Sequence, residues 1–190
     1  MTPYIGFAGP KTAGKTTAAR LLINKLRNDN ITVAKFSLAS PIRDMLATLL
    51  SRCLEEEEIE KYMHDQEYKE QPIPGLGVSY RRLATTLGTE WGRELIREDL
   101  WIKLAELSNA KMNTDVYICD DIRFIEERDF IKKNNGVVIY IQPVGFSGST
   151  QAEHPSEQFN ISLADIVITN KKRSPLELEE ELLSVLKLKE

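Results

Sequence analysis

The segment Gly9-Pro10-Lys11-Thr12-Ala13-Gly14-Lys15-Thr16 constrains this chain more than any other stretch. It fits G-x-x-x-x-G-K-[ST], a pattern that has meaning only as the turn between a β-strand and a helix. The flanks supply both. Tyr4-Ile5-Gly6-Phe7-Ala8 reads as a short buried strand, and residues 16–26 read as a helix with Ala19, Leu22, Ile23 and Leu26 on one face. Gly9 and Gly14 let the backbone curl so that its N–H groups face phosphate oxygens. The helix N-terminus adds partial positive charge. Lys15 then reaches the β- and γ-phosphates of a nucleoside triphosphate, and the Thr16 hydroxyl suits Mg²⁺. A glycine turn that binds nothing is the bland alternative, and the strand before and helix after argue against it.

With the loop in place, the rest of the chain reads as α/β. Residues 31–36, 116–119, 137–141 and 166–169 are further strand candidates, alternating with helices and without hairpin turns between them. That pattern predicts a three-layer α/β/α fold with a five-stranded parallel sheet and the ligand at the carboxyl ends of its strands. Ser40 before Pro41 is the expected N-cap of a second helix with Ile42, Met45, Leu46, Leu49 and Leu50 on its apolar face. The acids at 55–58 read as a solvated helix, since neighbouring acids on a helix do not converge on a metal. Residues 72–77 form a loop within the domain, and 79–110 are mostly helical. Residues 142–160 are Pro-, Gly- and Ser-rich, and long for a loop in a compact domain, which points to a lid. Ser174-Pro175-Leu176-Glu177 opens a last helix over 176–188. At 190 residues one domain (1–190) is expected, with acceptor-binding helices in about 37–110.

Net charge is −4, which argues against a dedicated nucleic-acid binder but not against a local basic cleft for a phosphorylated small molecule. Cys53 and Cys119 are too few and too far apart for a metal or disulfide framework, and Cys119 reads as a reduced core residue. No apolar run approaches a membrane span, and the N-terminus enters a core strand directly. The expected compartment is the cytoplasm, and a homodimer is the default expectation for assembly.

The strand ending in Asp120-Asp121 is the expected source of the acidic group that organises Mg²⁺. One aspartate serves the site and the other caps the next helix; Asp120, nearer the strand end, is favoured for the site. Arg123 stays near that strand end, where its planar fork suits phosphate, although an ion pair with Glu126 or Glu127 competes. Ser37 and Arg43 lie where a second phosphorylated substrate would dock. Arg81, Arg82, Arg93 and Arg97 add cations for an acceptor phosphate. Tyr80, Trp91, Trp101 and Phe124 are candidates for an aromatic clamp on a base, with core packing the competing reading for Trp91 and Trp101. His154, beside Pro155, reads as structural, and His64 has no role.

Taken together, Gly9 to Thr16, Phe36-Ser37-Leu38-Ala39-Ser40-Pro41-Ile42-Arg43, Leu87-Gly88-Thr89-Glu90-Trp91-Gly92-Arg93, Asp99-Leu100-Trp101, Asp121-Ile122-Arg123-Phe124 and His154-Pro155-Ser156-Glu157 resemble the phage deoxynucleoside monophosphate kinases. The resemblance runs from Tyr4 to about Asn170. It implies a nucleoside-monophosphate-kinase-like fold that transfers the γ-phosphate of ATP to a deoxynucleoside monophosphate. Carried over by residue, Lys15 and Thr16 hold ATP and Mg²⁺, together with Gly9, Lys11, Thr12, Ala13, Gly14 and Thr17 of the loop. Asp120 or Asp121 with Arg123 faces the junction of donor and acceptor. Ser37, Arg43, Arg82, Trp91 and Arg93 serve the acceptor, and Asn170 and Lys171 lie near the adenine. One departure stands out. Residues 142–160 contain no arginine or lysine, so the cation at the transferring phosphate comes from elsewhere, with Arg123, Lys11 and Arg173 as candidates.

Two other readings compete. A kinase of another phosphorylated metabolite, such as phosphomevalonate or dephospho-coenzyme A, would keep the loop and the arginines but lack a base clamp. A GTPase-like switch would need an aspartate that Asn170-Lys171-Lys172-Arg173 lacks.

Overall fold

The structure, a computed structural model, describes residues 2–10, 12–144, 161–170 and 175–186. Its sheet has five strands, β1 (Tyr4–Ala8), β2 (Val33–Phe36), β3 (Val116–Ile122), β4 (Val137–Pro143) and β5 (Ile166–Asn170). They run in the order β2-β3-β1-β4-β5, and every pairing is parallel. Parallel neighbours need helical crossovers, which is why the intervening segments are helical and why all strands end on one edge. The expected parallel sheet is therefore present. β2 begins at Val33, and β3 extends past Cys119 to include both aspartates.

The helices are α1 (Lys15–Asn28), α2 (Ser40–Leu50), α3 (Glu56–His64), α4 (Tyr80–Thr85), α5 (Leu100–Asn109), α6 (Ile125–Lys133) and α7 (Pro175–Val185). α4 runs on into a π-helical stretch, Thr86–Ile96. The α2 N-cap is Ala39, one residue before the expected Ser40, with Pro41 in the first turn.

Packing divides the chain into two compact units, one of residues 1–38 with 105–190 and one of residues 39–104. In the first, the apolar face of α1 (Ala18, Ala19, Leu22, Ile23, Leu26) meets Ile5, Phe7, Ile118, Ile139, Ile141 and Ile168 of the sheet, with Leu178 and Leu182 of α7. The central strands β1, β3 and β4 are buried on both faces, as a covered parallel sheet requires.

Asp165 pins the start of β5 to β4. Its carboxylate accepts the Val138 N–H at 2.8 Å and the Lys132 ammonium at 2.6 Å. Burial pushes its pKa up, but Lys132 and the Val138 N–H outweigh burial and hold it below the ordinary aspartate value. The folded state thus favours the carboxylate. The stability it contributes is complete above the unfolded value of about 3.9 and is lost as pH falls through the lower folded value. In melts against pH, wild type should exceed Asp165→Asn most near neutral pH, with the gap closing below about pH 4.

In the second unit, Leu46, Leu50, Ile59, Tyr62, Ile73 and Tyr80 form the core. Ile59 and Tyr62 belong to α3, so the helix expected to be solvated buries one face while its acids stay outside. Ser79 caps α4 by accepting the Arg82 N–H at 3.2 Å. The π-helical stretch packs against Trp101, whose indole N–H donates to the Gly88 carbonyl at 2.7 Å. A Cβ at Gly92 would lie 2.3 Å from the Trp101 ring, so this position has no room for a side chain. Gly92→Ala should cost about 2 kcal/mol and lower Tm by about 4–8 °C, read by thermal denaturation.

Candidate active site

The phosphate loop lies between the end of β1 and the start of α1. Gly9 has φ +137°, and a Cβ there would sit 2.3 Å from the Ile141 carbonyl of β4. The loop can therefore leave the sheet this closely only at glycine. Thr12 and Gly14 also have positive φ, +63° and +100°. The Ala13 N–H closes a turn on the Pro10 carbonyl at 3.2 Å. Lys15 reaches back over the loop, its Nζ donating to the Gly9 and Pro10 carbonyls at 2.7 and 2.8 Å. Thr12 and Thr16 are exposed and Thr17 is half-buried. Lys11, Lys171 and Arg173 lie outside the described residues, as does the expected lid beyond Val144.

β3 is the direct neighbour of β1, so its carboxyl end lies beside the loop. Successive strand residues face opposite sides, and this separates the two aspartates. Asp120 is nearly buried and pairs with Lys35 of β2 at 2.8 Å. It shares its face with Ile118, which packs against α1. Asp121 faces the other way. One oxygen accepts the Ser37 hydroxyl at 2.5 Å; the other accepts the Leu38 N–H at 3.1 Å and the Cys119 thiol at 2.9 Å. Burial, reinforced by the Asp121 charge, pushes the Cys119 thiol well above its ordinary pKa, so it stays protonated.

Arg123 is exposed and makes no ion pair among the described residues. Buried Glu127 accepts the backbone N–H of Arg123 at 2.7 Å and of Phe124 at 3.2 Å instead. The glutamate thus holds the turn that presents the guanidinium and leaves the guanidinium available. It stands three residues after the N-cap Phe124, where a glutamate side chain reaches back to the N-cap N–H, but with phenylalanine at the N-cap the usual sequence signature is missing. The Lys35–Asp120 pair had no local signal either, because it depends on β2 pairing with β3.

Within the second unit, Arg93 is buried and donates to the Glu98 carbonyl at 3.2 Å. Arg43 is half-buried and Arg82 exposed. Arg81 is bonded to Glu70, and Arg97 to Asp99 at 2.5 Å. Tyr80 and Trp101 are core residues, 4% and 3% exposed, whereas Trp91 is 36% exposed with its ring centre 6.3 Å from that of Trp101. Of the aromatic candidates in this unit, Trp91 is the one with a free surface. Among the described residues no helix is long and apolar enough to cross a membrane, and no cluster of three or more His, Cys, Asp or Glu is placed to hold a metal.

Residues 57–180, well over half of the chain, match the family described as deoxynucleotide monophosphate kinase. The chain belongs to this family. A putative deoxynucleotide monophosphate kinase from Acanthamoeba polyphaga mimivirus is 30% identical over 185 residues, covering 88% of each chain. The deoxynucleoside-5'-monophosphate kinase of Escherichia phage T5 is 32% identical over 107 residues, 52% of this chain and 43% of that protein. This chain thus spans less than half the length of the phage relative. A shikimate kinase from Aquifex aeolicus, 15% identical, matches with a TM-score of 0.50 over 97% of this chain and 96% of that one, and it shares the fold. The expected α/β fold and the family that the six segments from Gly9 to Glu157 together resemble are both borne out.

Proposed function

We propose that the protein transfers the γ-phosphoryl group of ATP to the 5'-phosphate of a deoxynucleoside monophosphate. An acceptor phosphate oxygen attacks the γ-phosphorus, the bond to the β–γ bridging oxygen breaks, and ADP leaves with the deoxynucleoside diphosphate as the other product. Such transfer rests on positioning and charge stabilisation rather than on a dedicated covalent group. The observation that carries this reading is the family match, in a chain whose phosphate loop lies beside the Asp120–Arg123 end of β3.

The roles divide accordingly. The backbone of residues 9–14 and the side chains of Lys15, Thr16 and Thr17 take the triphosphate. Arg123, exposed and without an ion-pair partner among the described residues, supports the transferring group. Ser37, Arg43, Arg82 and Arg93 serve the acceptor phosphate and sugar, and Trp91 stacks on the base. Mg²⁺ fits the hard oxygen donors present, with Thr16 and Asp120 as its protein ligands, and it would neutralise phosphate charge there. Asp121, bonded to Ser37 and Leu38, orders that segment. The proposed compartment is the cytoplasm, where ATP and deoxynucleotides are both present.

The test follows labelled phosphate. Incubation with γ-labelled ATP and each deoxynucleoside monophosphate should put the label at the β position of a deoxynucleoside diphosphate. Label released only as inorganic phosphate, whatever acceptor is added, would refute the proposal.

A further inference from the structure

Asn170 ends β5, and the resemblance had placed it near the adenine of ATP. Its side chain instead reaches the phosphate loop, where Nδ2 donates to the Ala13 carbonyl at 2.8 Å. The same Nδ2 fills the space beside Gly14, where a Cβ would lie 2.5 Å from it.

This contact has a consequence for the loop. A trans peptide is planar, so the carbonyl of Ala13 and the N–H of Gly14 point in opposite directions. Holding that carbonyl against β5 turns the Gly14 N–H away from β5. The Gly14 N–H has no acceptor among the described residues. Gly14 stands at φ +100°, in a region where glycine moves freely between conformations, so the loop itself does little to fix this peptide. A flipped peptide would present a carbonyl oxygen where a phosphate needs a donor.

We propose that Asn170 is a positioning residue that locks the Ala13–Gly14 peptide in its phosphate-receptive orientation. It would act on ATP through the loop and not through the base. The proposal rests on the assignment of residues 9–16 as the triphosphate site. It explains why the position beside Gly14 must stay free of a side chain, and why a short polar residue ends the edge strand.

The test uses a ligand without a base. Dissociation constants for ATP and for inorganic tripolyphosphate are measured by calorimetry on the full chain, for wild type, Asn170→Ala and Asn170→Asp. Asn170→Asp keeps the size and shape but lacks the donor, and it serves if the alanine variant does not fold. Both ligands should weaken by the same factor, about five- to tenfold, in either variant. KM for ATP should rise by a similar factor, while KM for the acceptor stays near wild type. Loss of ATP affinity with tripolyphosphate affinity unchanged would overturn the proposal and return Asn170 to the adenine. Wild-type affinity for both ligands in Asn170→Asp would overturn it equally. The binding readout stands apart from turnover: failure of phosphoryl transfer to any deoxynucleotide would strike the proposed reaction and leave the binding result to decide the role of Asn170.

Discussion

Lys15→Ala should lower kcat/KM by about 10²–10³-fold while leaving the melting temperature within a few degrees of wild type. The two halves of this expectation come from the same observation. The Lys15 side chain donates to the Gly9 and Pro10 carbonyls on the loop, whereas the buried face of α1 is made by Ala18, Ala19, Leu22, Ile23 and Leu26. Removing it costs the fold little. On the proposed assignment, what is lost is a point charge beside the β- and γ-phosphates, where negative charge would shift during transfer. A single donor in such a position is typically worth about 3–4 kcal/mol in the transition state. Lys15→Arg should not restore activity, because a planar fork does not fit the space of a compact ammonium on a flexible stem. Steady-state kinetics and a thermal melt on the same preparations check both halves.

The second large effect separates the two aspartates. Asp120→Asn should lower kcat by about a hundredfold and raise the Mg²⁺ concentration that gives half-maximal rate, with only a small change in Tm. Asp121→Ala should behave differently. It removes the acceptor of the Ser37 hydroxyl and of the Leu38 N–H at the end of β2. That costs about 1–3 kcal/mol, so Tm should fall by several degrees and KM for the acceptor should rise, with the Mg²⁺ requirement unchanged. The distinction follows from strand alternation. Asp120 is on the face shared with α1, beside the cation of Lys35, and Asp121 is on the other face, beside Ser37. Mg²⁺ titrations showing the reverse pattern would exchange the two roles.

The features legible in the sequence were local ones. The phosphate loop declares itself through glycines at fixed spacing, and Gly9 and Gly14 do adopt the conformations that glycine alone tolerates well. The five strands were visible because buried parallel strands are short runs of Val, Ile, Tyr and Cys. Their order was not visible, since nothing local says that β3 pairs with both β1 and β2. Everything that depends on that order was hidden with it. The Lys35–Asp120 pair, the Asp121 hold on Ser37 and the Asn170 reach into the loop each join residues more than eighty positions apart. The π-helical stretch over Thr86–Ile96 also escaped, because its Leu, Glu and Trp content reads as ordinary helix. α3 shows the limit of composition: four acids in a row at 55–58 drew attention away from Ile59 and Tyr62, which carry its buried face. The block from Leu87 to Arg93, also local, pointed to the family without requiring the strand order.

The most direct measurement is acceptor-dependent ADP formation from Mg-ATP. It is run against a panel of deoxynucleoside and ribonucleoside monophosphates, with Lys15→Ala as the blank. The expected result is turnover with one or a few deoxynucleoside monophosphates, lowered by about a hundredfold or more in the blank. ADP formation that no nucleotide acceptor stimulates, in a protein that binds ATP tightly, would contradict the proposed reaction.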